Sequence, residues 1–149
     1  MALEEKVMAE LKEAMKSKNE VALRSLRAIK SAIINAKTAE GAGGILKEED
    51  ETKLLQKLVK SRRDSIESYE KANRPELAEK EKEEIAVIDK FLPKQLTEEE
   101  LKTIIAKIIA ETGASSAADM GKVIGAANKQ IGGQSDGKTI SNVVKQLLS

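Results

Sequence analysis

The chain has 149 residues, of which 40% are hydrophobic, so it is long enough to bury the core of one ordinary domain or of two small ones. Lys and Arg number 26 against 25 Asp and Glu. Neither Cys nor His occurs, which excludes disulfides and zinc–thiolate sites and removes the commonest general base. No apolar run approaches the roughly 20 residues of a membrane span, and the mixed-charge N-terminus differs from a signal or transit peptide. These features predict a cytoplasmic protein with no membrane segment.

Apolar residues recur at helical spacing along the whole chain and predict an all-α fold without strands. Four helices are expected in the first part: residues 2–17, from about Glu20 to the GAGG loop at 41–44, about 48–72, and from Pro75 onward. Proline is favoured in the first turn of a helix, so Pro75 fits the start of the fourth.

The stretch FLPKQLTEEEL, residues 91–101, predicts a boundary between two domains. Pro93 cannot continue the fourth helix, and Thr97 followed by Glu100 forms a capping box that opens a fifth. We therefore predict an N-terminal helical domain at 1–92 and a C-terminal three-helix domain at 97–149. Its further boundaries are Gly113 after the fifth helix, a second capping box of Ser116 with Asp119 before the sixth, and Ser135 or Asp136 as the cap of the seventh.

The stretch DMGKVIGAANKQIGGQSDGK, residues 119–138, holds five of the nine glycines, although each helical glycine costs roughly 1 kcal/mol relative to alanine. One explanation is structural. Gly121 and Gly125 would let a neighbouring helix approach closely, Gly132 or Gly133 would cap the sixth helix, and Gly137 would relax the turn into the last helix.

The second explanation is a phosphate-binding surface, because free N–H groups and the helix dipole attract anions to helix starts. Lys122 and Lys138 lie in the first turns of the sixth and seventh helices, where the positive end of the helix dipole disfavours a cation. Their positions therefore indicate a role other than stabilising these helices. Residues 120–149 carry four lysines against Asp136 alone, whereas residues 1–90 balance 19 basic against 19 acidic residues.

The segments FLPKQLTEEEL, ETGASSAADMGKVIGA and GGQSDGKTISNVVKQLL resemble the YqeY family in order and spacing, and the resemblance extends over essentially the whole chain. From about residue 95 the tail also resembles the C-terminal domain of the B subunit of tRNA-dependent amidotransferases, GatB. Gln134 and Ser135 stand where the family commonly has GRADG or GKADG, which argues against a charge contact at position 134 but not against the fold.

The resemblance implies recognition of tRNA or another structured RNA, since the amidotransferase tail is understood to help grip tRNA while transamidation occurs in domains that this sequence lacks. It implies no catalytic residue, no metal and no cofactor. The residues that match the family motif by position are Met120, Gly121, Lys122, Gly125, Gly133, Asp136, Gly137 and Lys138. We expect RNA contacts from Lys122, Lys129, Lys138 and Lys145, with Gly121, Gly125, Gly133 and Gly137 allowing close approach.

Two other functions remain open. The N-terminal helices are compatible with a protein–protein adaptor that docks a translation-related partner. The family link also suggests a carbon–nitrogen ligase with glutamine as amido-N-donor, although the sequence offers neither an activated nucleophile nor an EF-hand. The third helix carries four basic residues that could form a second RNA-binding patch: Lys57, Lys60, Arg62 and Arg63. The alternative interpretation is that the neighbouring acids Asp64 and Glu67 make this a salt-bridged face.

Overall fold

The computed structural model describes residues 2–39, 41 and 43–149, and within these residues it contains seven α-helices and no strand. The predicted all-α fold is confirmed. The chain divides into two compact units, Met1–Leu92 and Pro93–Ser149, and each has a hydrophobic core of its own.

The first unit contains four helices: α1 at Leu3–Ser17, α2 at Glu20–Thr38, α3 at Glu48–Lys71 and α4 at Pro75–Asp89. Pro75 is the first residue of α4, as predicted. The side chain of Asn19 accepts the backbone N–H of Ala22 and thereby caps α2. In the predicted GAGG loop Gly41, Gly43 and Gly44 have positive φ, and Ala42 lies outside the described residues.

Helices α2, α3 and α4 enclose the core of the first unit, and α1 packs against α2. The apolar stripe of each helix supplies this core, with Leu26, Ile29, Ile33, Leu55 and Ile88 nearly inaccessible to solvent. An ion-pair network covers it: Arg24 of α2 and Arg62 of α3 both contact Glu84 of α4, at 3.5 and 3.4 Å. Packing and charge pairing therefore join the same three helices.

The second unit contains three helices: α5 at Glu98–Thr112, α6 at Met120–Ile131 and α7 at Gly137–Leu148. Short 3-10 turns at Ala117–Asp119 and Gly132–Gln134 flank α6. Each helix packs against the other two, so their apolar faces meet in one core. The buried residues of this core include Leu101, Ile105, Val123, Ala127 and Val144.

Candidate nucleic-acid interface

Helix α5 begins with the predicted capping box. The Thr97 hydroxyl accepts the backbone N–H of Glu100 at 3.1 Å, and the Glu100 carboxylate accepts the backbone N–H of Thr97 at 3.2 Å. The hydrogen bond from the Thr97 backbone lowers the pKa of Glu100, because it favours the charged carboxylate. The start of α5 is thus fixed by local interactions.

The segment before α5 contacts the turn between α6 and α7. The Gln95 side-chain amide donates to the carbonyl oxygen of Gly133 at 2.9 Å, and the backbone N–H of Leu96 donates to the carbonyl oxygen of Gln134 at 2.9 Å. The two motifs LPKQL and GGQSDGK, far apart in sequence, therefore meet in space. Sequence reasoning missed this contact, since no local pattern links residues 38 positions apart.

The glycines of this turn have different backbone requirements. Gly132, rather than Gly133, is the C-cap of α6; its φ of +59° favours glycine, but its ψ of −131° differs from the left-handed helical conformation expected of such a cap. Gly137 is the first residue of α7 and has no positive φ, so backbone geometry does not require glycine there. Asp136 caps α7 by accepting the Thr139 N–H at 2.7 Å.

The entry to α6 differs from the prediction. Ser116 makes no side-chain cap, and a 3-10 turn at Ala117–Asp119 precedes the α-helix. Asp119 instead accepts the backbone N–H of Ser115 at 3.0 Å. The predicted capping box of Ser116 with Asp119 is therefore wrong, because the chain tightens into a 3-10 turn before it becomes α-helical.

The helical glycines of α6 lie on its outward face. Val123, Ala127 and Ile131 face the core, whereas Gly121 and Gly125 are exposed. A Cβ atom built on either glycine would meet nothing within 4 Å. The prediction that these glycines admit a neighbouring helix is wrong, since no described residue approaches them. They leave an open strip of bare helix backbone.

Lys122 has a structural contact that the sequence did not reveal. Its side-chain nitrogen donates to the carbonyl oxygen of Thr112, the last residue of α5, at 3.3 Å. A cation at a helix C-terminus interacts favourably with the dipole and with an orphan carbonyl. This contact explains a lysine in the first turn of α6 without requiring an RNA ligand. The Lys122 side chain is nevertheless exposed.

The other three lysines are exposed and have no ion pair or hydrogen bond to any residue in the described part of the chain. Lys122 and Lys129 are seven residues apart on α6, as are Lys138 and Lys145 on α7, which places each pair on one face about 10 Å apart. The same outward faces carry the exposed amides Asn128 and Asn142. Each of the two helices thus presents two lysines together with exposed amides to solvent.

The basic residues of α3 form a mixed surface. Arg62 is only 14% exposed, and besides Glu84 it contacts the carbonyl oxygen of Leu58 at 3.1 Å. Lys57 and Lys60 line an open groove together with Asp64. Arg62 is therefore part of a salt-bridged face, with a partner on α4 rather than on its own helix.

Within residues 2–39, 41 and 43–149, no three acidic side chains are grouped so that they could hold a metal ion. The helices among these residues are also too short or too polar to cross a bilayer.

The sequence profile described as Yqey-like protein matches residues 4–148. The chain belongs to the YqeY family. It is 34% identical over 148 residues to "Altered inheritance of mitochondria protein 41, mitochondrial" of Pyrenophora tritici-repentis, which covers 96% of this chain and 79% of the relative. The protein of the same name from Clavispora lusitaniae is 33% identical over 132 residues, covering 87% of this chain and 74% of the relative.

Proposed function

We propose that this YqeY-family chain is an RNA-binding accessory protein that grips tRNA with the outward faces of α6 and α7. The observation that carries the proposal is the exposed glycine pair of α6, with Gly121 directly before Lys122 and Gly125 four residues before Lys129. Glycine inside an exposed helix lowers stability by roughly 1 kcal/mol, and internal packing does not require it here. Close approach of a phosphate backbone to α6 would explain why glycine, rather than a larger residue, occupies both positions.

The charge of these helices supports the same partner. Residues 120–149 carry four lysines and one acid, and that acid, Asp136, caps α7. Lys129, Lys138 and Lys145 have no anionic partner among the described residues, so pairing with these residues does not neutralise them. An array of unpaired lysines is suited to phosphates, which position a nucleic acid without reading its sequence.

The chain is poorly equipped to bind unstacked bases. Its two aromatic residues, Tyr69 and Phe91, both belong to the first unit, so neither is part of the basic helices α6 and α7. Base stacking on aromatic side chains is the usual source of affinity for single strands. We therefore infer recognition of a folded RNA by its backbone and shape. The resemblance of the tail to the amidotransferase domain makes tRNA the first candidate.

The proposed partner is compatible with two compartments. Both the cytoplasm and the mitochondrial matrix contain tRNA, and the fungal relatives carry "mitochondrial" in their names. We keep the cytoplasm as the proposed location of this chain, and fractionation of the source cells tests it.

Fluorescence anisotropy of labelled bulk tRNA, titrated with the protein at about 50 and 200 mM salt, tests the proposal. Four lysine contacts predict a log–log salt slope of roughly −3 to −4, and the triple variant Lys129→Ala/Lys138→Ala/Lys145→Ala should reduce it to about −1. A matched variant that removes three exposed lysines elsewhere, Lys12→Ala/Lys94→Ala/Lys107→Ala, should keep the wild-type slope. Equal slopes for the two triple variants would refute the proposed surface.

The glutamine-dependent ligase remains a separate hypothesis. It requires the chain to bind glutamine, whereas the tRNA-binding proposal does not. Isothermal titration of the protein with glutamine distinguishes the two, because heat that saturates with glutamine would favour the enzyme.

A further inference from the structure

The first unit carries an apolar groove between α2 and α3 that the RNA-binding proposal does not use. Its volume is about 960 Å³, and it is partly open to solvent. Leu54 and Leu58 of α3 form part of its floor, and Ile45 stands beside it with 69% of its surface exposed. The exposed side chain of Ile45 is contiguous with the apolar lining, and contiguous apolar surface is the feature that marks a binding site for a partner.

The shape of the groove favours a helix as the occupant. On the α2 side the lining residues include Ala32, Ala36 and Ala39, which follow one another at helical spacing. Small side chains let a second helix approach to the usual interaxial distance of about 8–10 Å. A small molecule would normally bury most of its surface in an enclosed pocket, whereas an open groove accepts one face of an amphipathic helix.

The charges along the groove favour an acidic partner. Lys47, Lys53 and Lys57 line it on the α3 side, and Asp50 is the one acid among the described lining residues. None of these three lysines has an ion pair with a residue in the described ranges. The other acids in the first turn of α3, which are Glu48, Glu49 and Glu51, do not line the groove. Lys53 and Lys57 are four residues apart, so their side chains lie on one face of α3, one turn apart.

We propose that this groove binds an amphipathic α-helix of another protein, with its apolar face on Leu54, Leu58 and Ile45 and acidic residues one turn apart beside Lys53 and Lys57. The occupant is a helix of about four turns, because the groove follows α3 from Lys47 to Ser61. This proposal is independent of tRNA binding, since it uses residues of the first unit alone.

Two labelled peptides of about 15 residues test the proposal by fluorescence anisotropy with the full chain. Both have the same apolar face, and the acidic peptide carries Glu wherever its basic twin carries Lys. The acidic peptide should bind about tenfold or more tightly than the basic one, because two charge pairs replace two like-charge contacts. Binding of neither peptide, or equal binding of both, would overturn the proposal.

Charge reversal in the protein provides the second part of the test. Lys53→Glu/Lys57→Glu should weaken the acidic peptide about five- to tenfold and strengthen the basic peptide. Ile45→Ser should weaken both peptides and leave the fold intact, since Ile45 is mostly exposed. The control Lys12→Glu, at an exposed position on α1, should change neither affinity. If Lys53→Glu/Lys57→Glu weakened tRNA binding and left peptide binding unchanged, the groove would be part of an RNA-binding surface and the proposal would be wrong.

Discussion

The side-chain nitrogen of Lys122 donates to the carbonyl oxygen of Thr112 across 3.3 Å, linking the first turn of α6 to the last residue of α5. The same lysine lies beside the exposed strip of Gly121 and Gly125. One of the four lysines assigned to RNA therefore has a contact within the protein, and loss of RNA binding in a Lys122 variant would be ambiguous. Lys129, two turns later on the same face, has no such contact to a described residue.

We expect Lys122→Ala to lower the free energy of unfolding by about 0.3–1 kcal/mol, because the α5 C-terminus loses a cation near its dipole. Lys129→Ala should leave stability unchanged within about 0.5 kcal/mol, as do most surface substitutions. Urea denaturation of both variants measures the difference. Equal stabilities would show that the Lys122–Thr112 contact contributes nothing.

Replacing Gly121 or Gly125 with alanine should stabilise the protein. Both glycines lie inside a helix, both are exposed, and an added Cβ meets nothing within 4 Å. Alanine should therefore raise the free energy of unfolding by about 0.5–1 kcal/mol at each position. Thermal unfolding followed by circular dichroism measures the gain. A loss of stability would mean that another part of the protein packs against these glycines.

Gln95→Ala removes the side-chain hydrogen bonds to the carbonyl oxygens of Gly133 and Pro93 and should destabilise the second unit by about 1 kcal/mol. Gln130 is a matched control, because it is exposed on α6 and has no hydrogen bond to a described residue. Chemical denaturation should separate the two variants. If Gln95→Ala were as stable as Gln130→Ala, the side-chain amide of Gln95 would make no contribution to the stability of the α6–α7 turn.

Asp89→Asn should raise stability at neutral pH. Asp89 is the last residue of α4, where the dipole disfavours an anion, and its Oδ1 atom is buried with no hydrogen-bond partner among the described residues. Burial raises its pKa, which the charge of Arg63 partly opposes. A raised pKa means that the ionised form destabilises the folded state, so the cost is present at pH 7 and vanishes as the pH falls below about 4.

The expected gain for Asp89→Asn is therefore about 0.3–1 kcal/mol at pH 7, decreasing towards zero in acid. Asp50→Asn is the opposite control, because Asp50 lies in the first turn of α3 and stabilises the positive end of that helix. Denaturation curves at pH 7 and in acid measure both. A destabilised Asp89→Asn would show that the carboxylate has a favourable partner, with Arg63 as the first candidate.

Features that depend on neighbouring residues could be predicted from the sequence. The seven helices follow from apolar spacing, and the Thr97–Glu100 capping box requires only residues three positions apart. The Ser116–Asp119 pair has the same spacing and fails, because the 3-10 turn at Ala117–Asp119 changes the geometry that a capping box needs.

Contacts between distant elements could not be predicted. The Gln95–Gly133 and Lys122–Thr112 hydrogen bonds join residues that only the tertiary fold brings together. The orientation of the α6 glycines, however, could have been predicted from the sequence. The buried stripe of Val123, Ala127 and Ile131 already places Gly121 and Gly125 on the opposite side of the helix, and applying that spacing would have excluded the packing explanation.

The most direct test of the central claim is tRNA binding by Gly125→Gln. Glutamine is a good helix former and neutral, and nothing within 4 Å blocks its Cβ, so the variant should fold and retain every lysine. Ala110→Gln is the control, at an exposed position on α5. If α6 approaches the RNA backbone at its glycines, Gly125→Gln should lose about tenfold or more in tRNA affinity, equivalent to 1.4 kcal/mol, while Ala110→Gln binds as wild type. Wild-type affinity in Gly125→Gln would contradict the account.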